Sequence, residues 1–246
     1  DASVLSLFFD IEKFAELKKR FRQPLLMMGE GDGGKPSFVL MGDSHGAALF
    51  PGMDMACARR GISALFVRTY VVPFSGWEMT RGWNGKREKA LLAWFAAHPE
   101  LRTVVICQYW QYRFEDYPDF FPAGDGPLSK EESLRRFVSA LHDMGKQVVL
   151  VSGVPGIRSM SIARDYRLSC RSERFAARAG LLSCTREDYL RDKKVSEDIL
   201  QKLESEGLCR VLHIERSLFN EKGVFEGVQQ GFRYMFDCHH LTPEGG

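Results

Sequence analysis

The sequence predicts an α/β fold in which helices cover both faces of a parallel sheet, built as one domain. Three observations carry that reading. Strand-like apolar runs alternate with helix-like periods from Phe38 to Ile214, and glycines or capping residues punctuate the joints. At 246 residues with 44% hydrophobic side chains, the chain is also long enough to bury one sizeable core.

The elements follow in order. Residues 38–41 read as a buried strand and 47–60 as a helix ended by Gly61. Residues 62–67 give a second strand, 86–97 a second helix and 103–107 a third strand. Ser129 with Glu132 three positions later forms a capping box, opening a helix through Met144 that Gly145 stops. A fourth strand spans 147–151, a long polar helix 187–206 and a fifth strand 210–214. Ahead of these lie a short helix-like stretch over 11–21, carrying Phe14 and Leu17, and a glycine-rich hinge over 29–34. Residues 1–34 are therefore expected as a lead-in or linker and 35–246 as the domain proper.

Composition excludes several function classes. A net charge of +2, with basic residues interleaved among acidic ones as in Lys130-Glu131-Glu132, gives no footprint for nucleic acid. No stretch approaches the roughly 18 to 20 consecutive apolar residues of a membrane span. The chain starts at Asp1, lacks a signal-peptide pattern and stops just after a candidate motif, so it is expected to be a piece of a longer protein. Of six cysteines, Cys57 and Cys107 sit in apolar runs suited to buried thiols. Cys170, Cys184, Cys209 and Cys238 sit in more polar sequence; a Cys170–Cys184 disulfide and fully reduced thiols are both open, since spacing does not fix pairing.

Ligands of such sheets bind beyond the carboxyl ends of the strands. The strongest signal there is Gly42-Asp43-Ser44-His45-Gly46, between the first core strand and its helix. A serine at that turn exposes its hydroxyl beside a helix N-terminus, whose N–H groups receive developing negative charge as an oxyanion hole does. Serine at such a place is equally an ordinary N-cap. Near the far end stands Asp237-Cys238-His239-His240-Leu241-Thr242-Pro243. A hydroxyl needs a general base, and an imidazole base needs an acid to set its tautomer. Asp237 and His240, three positions apart, supply both, which favours Ser44 as the nucleophile of a triad. A metal site drawn from Asp237, Cys238, His239 and His240 is disfavoured, because adjacent residues point apart and no second ligand segment is evident; no metal is expected. The G-x-S-x-G pattern also fits the nucleophile elbow of α/β-hydrolases. However, that elbow follows several earlier strands, and its acid and histidine sit on separate loops.

The pair Gly42-Asp43-Ser44-His45 and Asp237-x-x-His240-Leu241-Thr242, with Pro243-Glu244-Gly245 after it, resembles the SGNH (GDSL-like) hydrolase family. It looks closest to the SGNH domains fused to membrane-bound acyltransferase-3 proteins, which O-acetylate bacterial surface polysaccharides such as lipopolysaccharide O-antigen. The resemblance spans nearly the whole chain from Gly42 onward. It implies a three-layer α/β/α sandwich with a central parallel sheet, Ser44 as nucleophile, His240 as base and Asp237 orienting it, with His239 the alternative base. It implies an oxyanion hole from the Ser44 N–H, a glycine matched by Gly76, and an asparagine that this sequence lacks. Gln108 and the Trp110 indole are the candidate replacements for the asparagine.

Around this site, His45 is a candidate either to pack beneath the nucleophile or to touch substrate. Tyr109 and Tyr112, with Trp77, Trp83 and Trp110, are candidates for a sugar-stacking platform or for ordinary packing. His98, His142 and His213 read as structural. The resemblance further implies a soluble segment at the periplasmic face of the bacterial inner membrane, a glycan acceptor, and an acyltransferase-3 membrane domain in the same chain. No cofactor is expected in this domain; acetyl-coenzyme A would serve as donor through the membrane partner. Two other readings are a carbohydrate esterase or deacetylase with the same triad, and a saccharide-binding module with a degenerate site.

Overall fold

A computed structural model describes residues 25–29, 35–69, 86–114, 120–123, 126–159, 161–170, 180–229 and 232–242. Its centre is a six-stranded sheet in the order β1-β3-β2-β4-β7-β9. Those strands are β1 (Leu25–Met28), β2 (Phe38–Gly42), β3 (Ala64–Arg68), β4 (Thr103–Cys107), β7 (Gln147–Val151) and β9 (Arg210–Leu212). All neighbours pair in parallel except β1, which runs antiparallel along the β3 edge, Leu25 opposite Val67 and Met28 opposite Ala64.

Alternation along each strand sorts its side chains between two helical layers. Val39, Met41, Val104, Ile106, Val148 and Leu150 point to one face. There they meet α2 (Lys86–Ala97), α3 (Trp110–Phe114), α4 (Lys130–Asp143) and α7 (Lys194–Ser205) through Leu91, Trp110, Phe137 and Leu200. Leu40, Phe66, Val105 and Val151 point to the other face, onto α1 (Ser44–Arg60) through Cys57 and Met53. Strands apolar on both sides are what a sheet buried on both faces requires, and the result is the expected three-layer α/β/α sandwich. A third apolar cluster, with Ile157, Ile162, Phe225 and Met235 at its heart, supports the region before the chain's final turn.

The smaller elements lie outside the main sheet. They are the hairpin of β5 (Phe120–Ala123) and β6 (Gly126–Ser129), α5 (Ile162–Ser169), α6 (Arg186–Asp192), α8 (Glu215–Leu218), and two short pairs. One pair joins β8 (Ser183–Thr185) to β10 (Val224–Glu226), the other β11 (Val228–Gln229) to β12 (Phe232–Arg233). The Ser129 cap forms as predicted, accepting the Glu132 N–H at 3.0 Å.

Two expectations change. The segment read as a lead-in contributes β1 to the sheet, a strand that its four-residue run Leu-Leu-Met-Met did not announce. The helix expected over 187–206 is two helices, α6 and α7, broken at Lys193. The stretch over 11–21, the glycines Gly31, Gly33 and Gly34, Trp77, Trp83 and the run from Pro243 lie outside the described residues. Cys170 and Cys184 carry no bond to each other; both are free thiols, Cys184 buried and Cys170 exposed. Among the described residues, no helix is long and apolar enough to cross a membrane.

Candidate active site

The turn from β2 into α1 is fixed by close approach. A methyl group on Gly42 would lie 2.2 Å from the Cys107 carbonyl oxygen, so only glycine lets β2 pass β4 this closely. Asp43 then caps α1. Its Oδ1 accepts the His45 N–H at 2.9 Å, and its carbonyl accepts the Ala47 N–H at 3.0 Å. Ser44 is therefore not the cap: it is the first residue of α1, and its N–H is among those a helix cannot pair internally. The other oxygen of Asp43 ties this turn to the one after β4, accepting the Tyr109 N–H at 3.1 Å and the Arg113 guanidinium at 3.1 Å.

The second motif is a short loop held at both ends. Met235 bridges Leu241, Phe236 donates to the His240 carbonyl at 2.8 Å, and Ile157, just past β7, donates to the Cys238 carbonyl at 2.9 Å. Within it, the His240 Nδ1–H donates to Asp237 Oδ2 at 2.8 Å, while Asp237 Oδ1 accepts the His239 and His240 backbone N–H groups at 2.9 and 2.8 Å. Partial burial pushes the Asp237 carboxyl up, but these donors outweigh it and hold its pKa at about 2. The acid is thus ionised, and it fixes the His240 tautomer so that Nε2 presents a lone pair.

That Nε2 is buried and has no hydrogen-bond partner among the described residues. His240 lines a groove of about 370 Å³ whose floor is one face of α1, with Ser44, Ala47, Ala48 and Pro51; Asp237 and Leu241 complete its wall. Ser44 and the Asp237–His240 pair, 193 positions apart by numbering of Ser44 and Asp237, thus line one groove. Among the described residues no hydrogen bond joins His240 Nε2 to Ser44. His239, beside His240, makes other contacts. Its Nδ1 lies 3.2 Å from Cys238 Sγ and 3.6 Å from Asp237 Oδ1, and it borders a second, polar pocket with Tyr109, Gln111 and Lys193.

The remaining predicted residues divide. His45 is 5% exposed and stacks on Tyr109 at 4.5 Å, so packing beneath the site is its observed role. Burial, reinforced by the neighbouring His240 and His239, outweighs Asp43 and drives its pKa down to about 3. Trp110 is buried with its indole N–H donated to the Val151 carbonyl at 2.6 Å, so it is not available as an oxyanion donor. Gln108 is buried at the end of β4, and Tyr109 is partly exposed beside His239. Gly76 and the Tyr112 side chain lie outside the described residues. His213 sits between acids, 3.2 Å from Glu215 and 3.9 Å from Glu197, a structural placement.

Two residues were missed by sequence reasoning. Arg113 anchors Asp43, and Lys193, 5% exposed, holds its ammonium 5.0 Å from the Tyr109 ring and bonds the Gln111 amide oxygen. A charged residue one position before Phe114, in a short apolar turn of helix, was the available signal for Arg113. Lys193 carried none, because Asp192-Lys193-Lys194 reads as a solvated surface.

A doubly covered, mostly parallel sheet with a serine and an aspartate–histidine pair lining one groove is an arrangement that acyl transfer in an α/β protein can use. The family model for the SGNH domain (fused to AT3 domains) matches residues 13–246, and the chain belongs to that family. Its membership makes the chain an SGNH-type esterase or acyl-transfer domain. Among solved structures, it is similar to a Bacteroides fragilis protein named as an acylhydrolase, with 11% identity over 98% of this chain and 91% of that one and a TM-score of 0.44. No curated protein matches it.

Proposed function

We propose that this domain moves an acetyl group through an ester on Ser44 to a sugar hydroxyl of a bacterial surface polysaccharide of the lipopolysaccharide O-antigen type. The observation that carries the reading is the shared groove: a serine at a helix start that Asp43 caps in its place, and a histidine whose Nδ1 is held by an ionised aspartate, so that Nε2 is the basic nitrogen. Ser44 Oγ attacks the acyl carbonyl while His240 Nε2 takes its proton. The oxyanion forms at the N-terminus of α1, where the Ser44 N–H meets it, with Gly76 and Gln108 as further donors. Collapse returns the proton from His240 to the leaving group. A sugar hydroxyl then gives its proton to His240, attacks the ester and releases Ser44 with its proton restored.

The family's fusion to AT3 domains supports a membrane acyltransferase-3 domain in the same chain as the source of the acetyl group. In this reading acetyl-coenzyme A is used by that membrane partner, this domain needs no cofactor, and it works at the periplasmic face of the inner membrane. The polar pocket beside His239, about 200 Å³ with Tyr109, Gln111, Arg158 and Lys193 on its lining, supports a saccharide as acceptor. The test incubates the domain with an activated acetyl ester and candidate oligosaccharides. Acetylated sugar is the expected product. Release of acetate alone under every acceptor would assign the domain as a carbohydrate esterase instead.

A further inference from the structure

The Asp237-to-His240 run by itself lacks a metal ligand from a separate segment, which a metal site ordinarily needs. The fold supplies one. His45, carried in on the turn between β2 and α1, comes to His239 and His240 with ring centroids 5.6 and 4.9 Å away, and those two rings lie 4.1 Å apart. One ring nitrogen from each of the three lies within 4.8 Å of the others. Two of the rings, His45 and His240, also bury an Nε2 that has no hydrogen-bond partner among the described residues, and His45 is 5% exposed. An imidazole nitrogen buried without a partner is costly, and here two such nitrogens belong to a cluster whose third ring can bring a nitrogen within reach of both.

We propose that His45, His239 and His240 bind a zinc ion, and that zinc held there occupies the His240 lone pair and stops the enzyme. Zinc accepts three imidazoles and a water, and it imposes no geometric preference of its own. With Zn–N bonds of about 2.0–2.1 Å, tetrahedral ligand nitrogens stand roughly 3.4 Å apart. Ring movements on the order of 1 Å therefore close the cluster. The outer contacts suit it: Asp237 holds the far nitrogen of His240 at 2.8 Å, the carboxylate–histidine–metal arrangement that orients ligating rings. Cys238 and Asp237 flank Nδ1 of His239, leaving its Nε2 to bind. Binding moves no proton from neutral rings and forms only metal–nitrogen bonds, so the blockade is reversible by chelation.

The blockade rests on His240 serving as the base; the binding does not. Metal-free wild-type protein is titrated with zinc chloride against a chromophoric chelator, alongside Ser44→Ala, His45→Gln and His239→Gln, each first shown to be folded by circular dichroism. One zinc per chain is expected for wild type and for Ser44→Ala. Affinity should fall roughly tenfold or more in His239→Gln, whose partly exposed ring makes it the safer variant to fold, and likewise in His45→Gln. Wild-type hydrolysis of an activated acetyl ester should stop with zinc and recover with EDTA. No uptake, or uptake unchanged in both histidine variants, overturns the site. Uptake without inhibition overturns the blockade. A wild-type domain that binds zinc but cleaves no ester upholds the site and removes the catalytic reading alone.

Discussion

Asp43 accepts the His45 N–H and so fills the role a serine at a helix start ordinarily takes, which relieves the Ser44 hydroxyl of capping α1. At the same scale, the Trp110 indole is spent on the Val151 carbonyl. Trp110→Phe should thus cost about 1–3 kcal/mol in urea unfolding, the cost of an orphaned buried carbonyl, and change kcat by no more than a few-fold. An oxyanion donor removed would cost about 10²–10³ in kcat, so steady-state kinetics on the variant decide between the roles. His45 makes a pH-dependent contribution. Its folded pKa of about 3 lies below the ordinary 6.5, so the fold favours the neutral ring. That contribution is complete above pH 6.5 and is lost as pH falls toward 3. Unfolding free energies from urea titrations over this range should fall less steeply for His45→Phe than for wild type, by up to about 1.4 kcal/mol per pH unit; parallel slopes would contradict it. Ser44, Asp237 and His240 could be picked out in the sequence because their types and local spacings suit one another, and the structure lines one groove with all three. Whether His45 packed or touched substrate was not legible, since burial is decided by partners such as Tyr109, 64 positions away by numbering.

Among the elements, the turn after β2 and the turn after β4 are fastened by one ion pair, Asp43 with Arg113, their side chains 12% and 4% exposed. Removing the cation leaves a largely buried carboxylate that, among the described residues, keeps the His45 and Tyr109 N–H groups. Arg113→Met should therefore cost about 3–5 kcal/mol in equilibrium unfolding. A loss under about 1 kcal/mol would mean the pair behaves as a surface one. Most strands and helices were readable because their apolar periods are long. The edge strand β1 was not, because four apolar residues beside a glycine-rich run have no period to read; pairing with β3 makes it a strand. The break between α6 and α7 was equally hidden. Every residue near Lys193 suits a helix, and the kink is set by tertiary contacts: Lys193 reaches Gln111 and the Tyr109 ring, and Tyr189 bonds Glu197 at 2.7 Å across the break.

For the molecule as a whole, the sheet order matters more than any single contact. Placing β2 between β3 and β4 brings Ser44, Gln108 and Tyr109 to one edge, and the Ile157–Cys238 hydrogen bond carries the last loop to the same edge from beyond β7. Only a parallel sheet gathers chain-distant residues at its carboxyl end in this way. The central claim is that Ser44, served by His240 and Asp237, forms a covalent acyl-enzyme. Its most direct measurement is peptide mapping by mass spectrometry after exposure of the folded domain to a fluorophosphonate, with Ser44→Ala alongside. The account predicts stoichiometric modification of Ser44 in wild type and none in the variant. A folded wild-type domain that stays unmodified, or a variant labelled at the same rate, would contradict it.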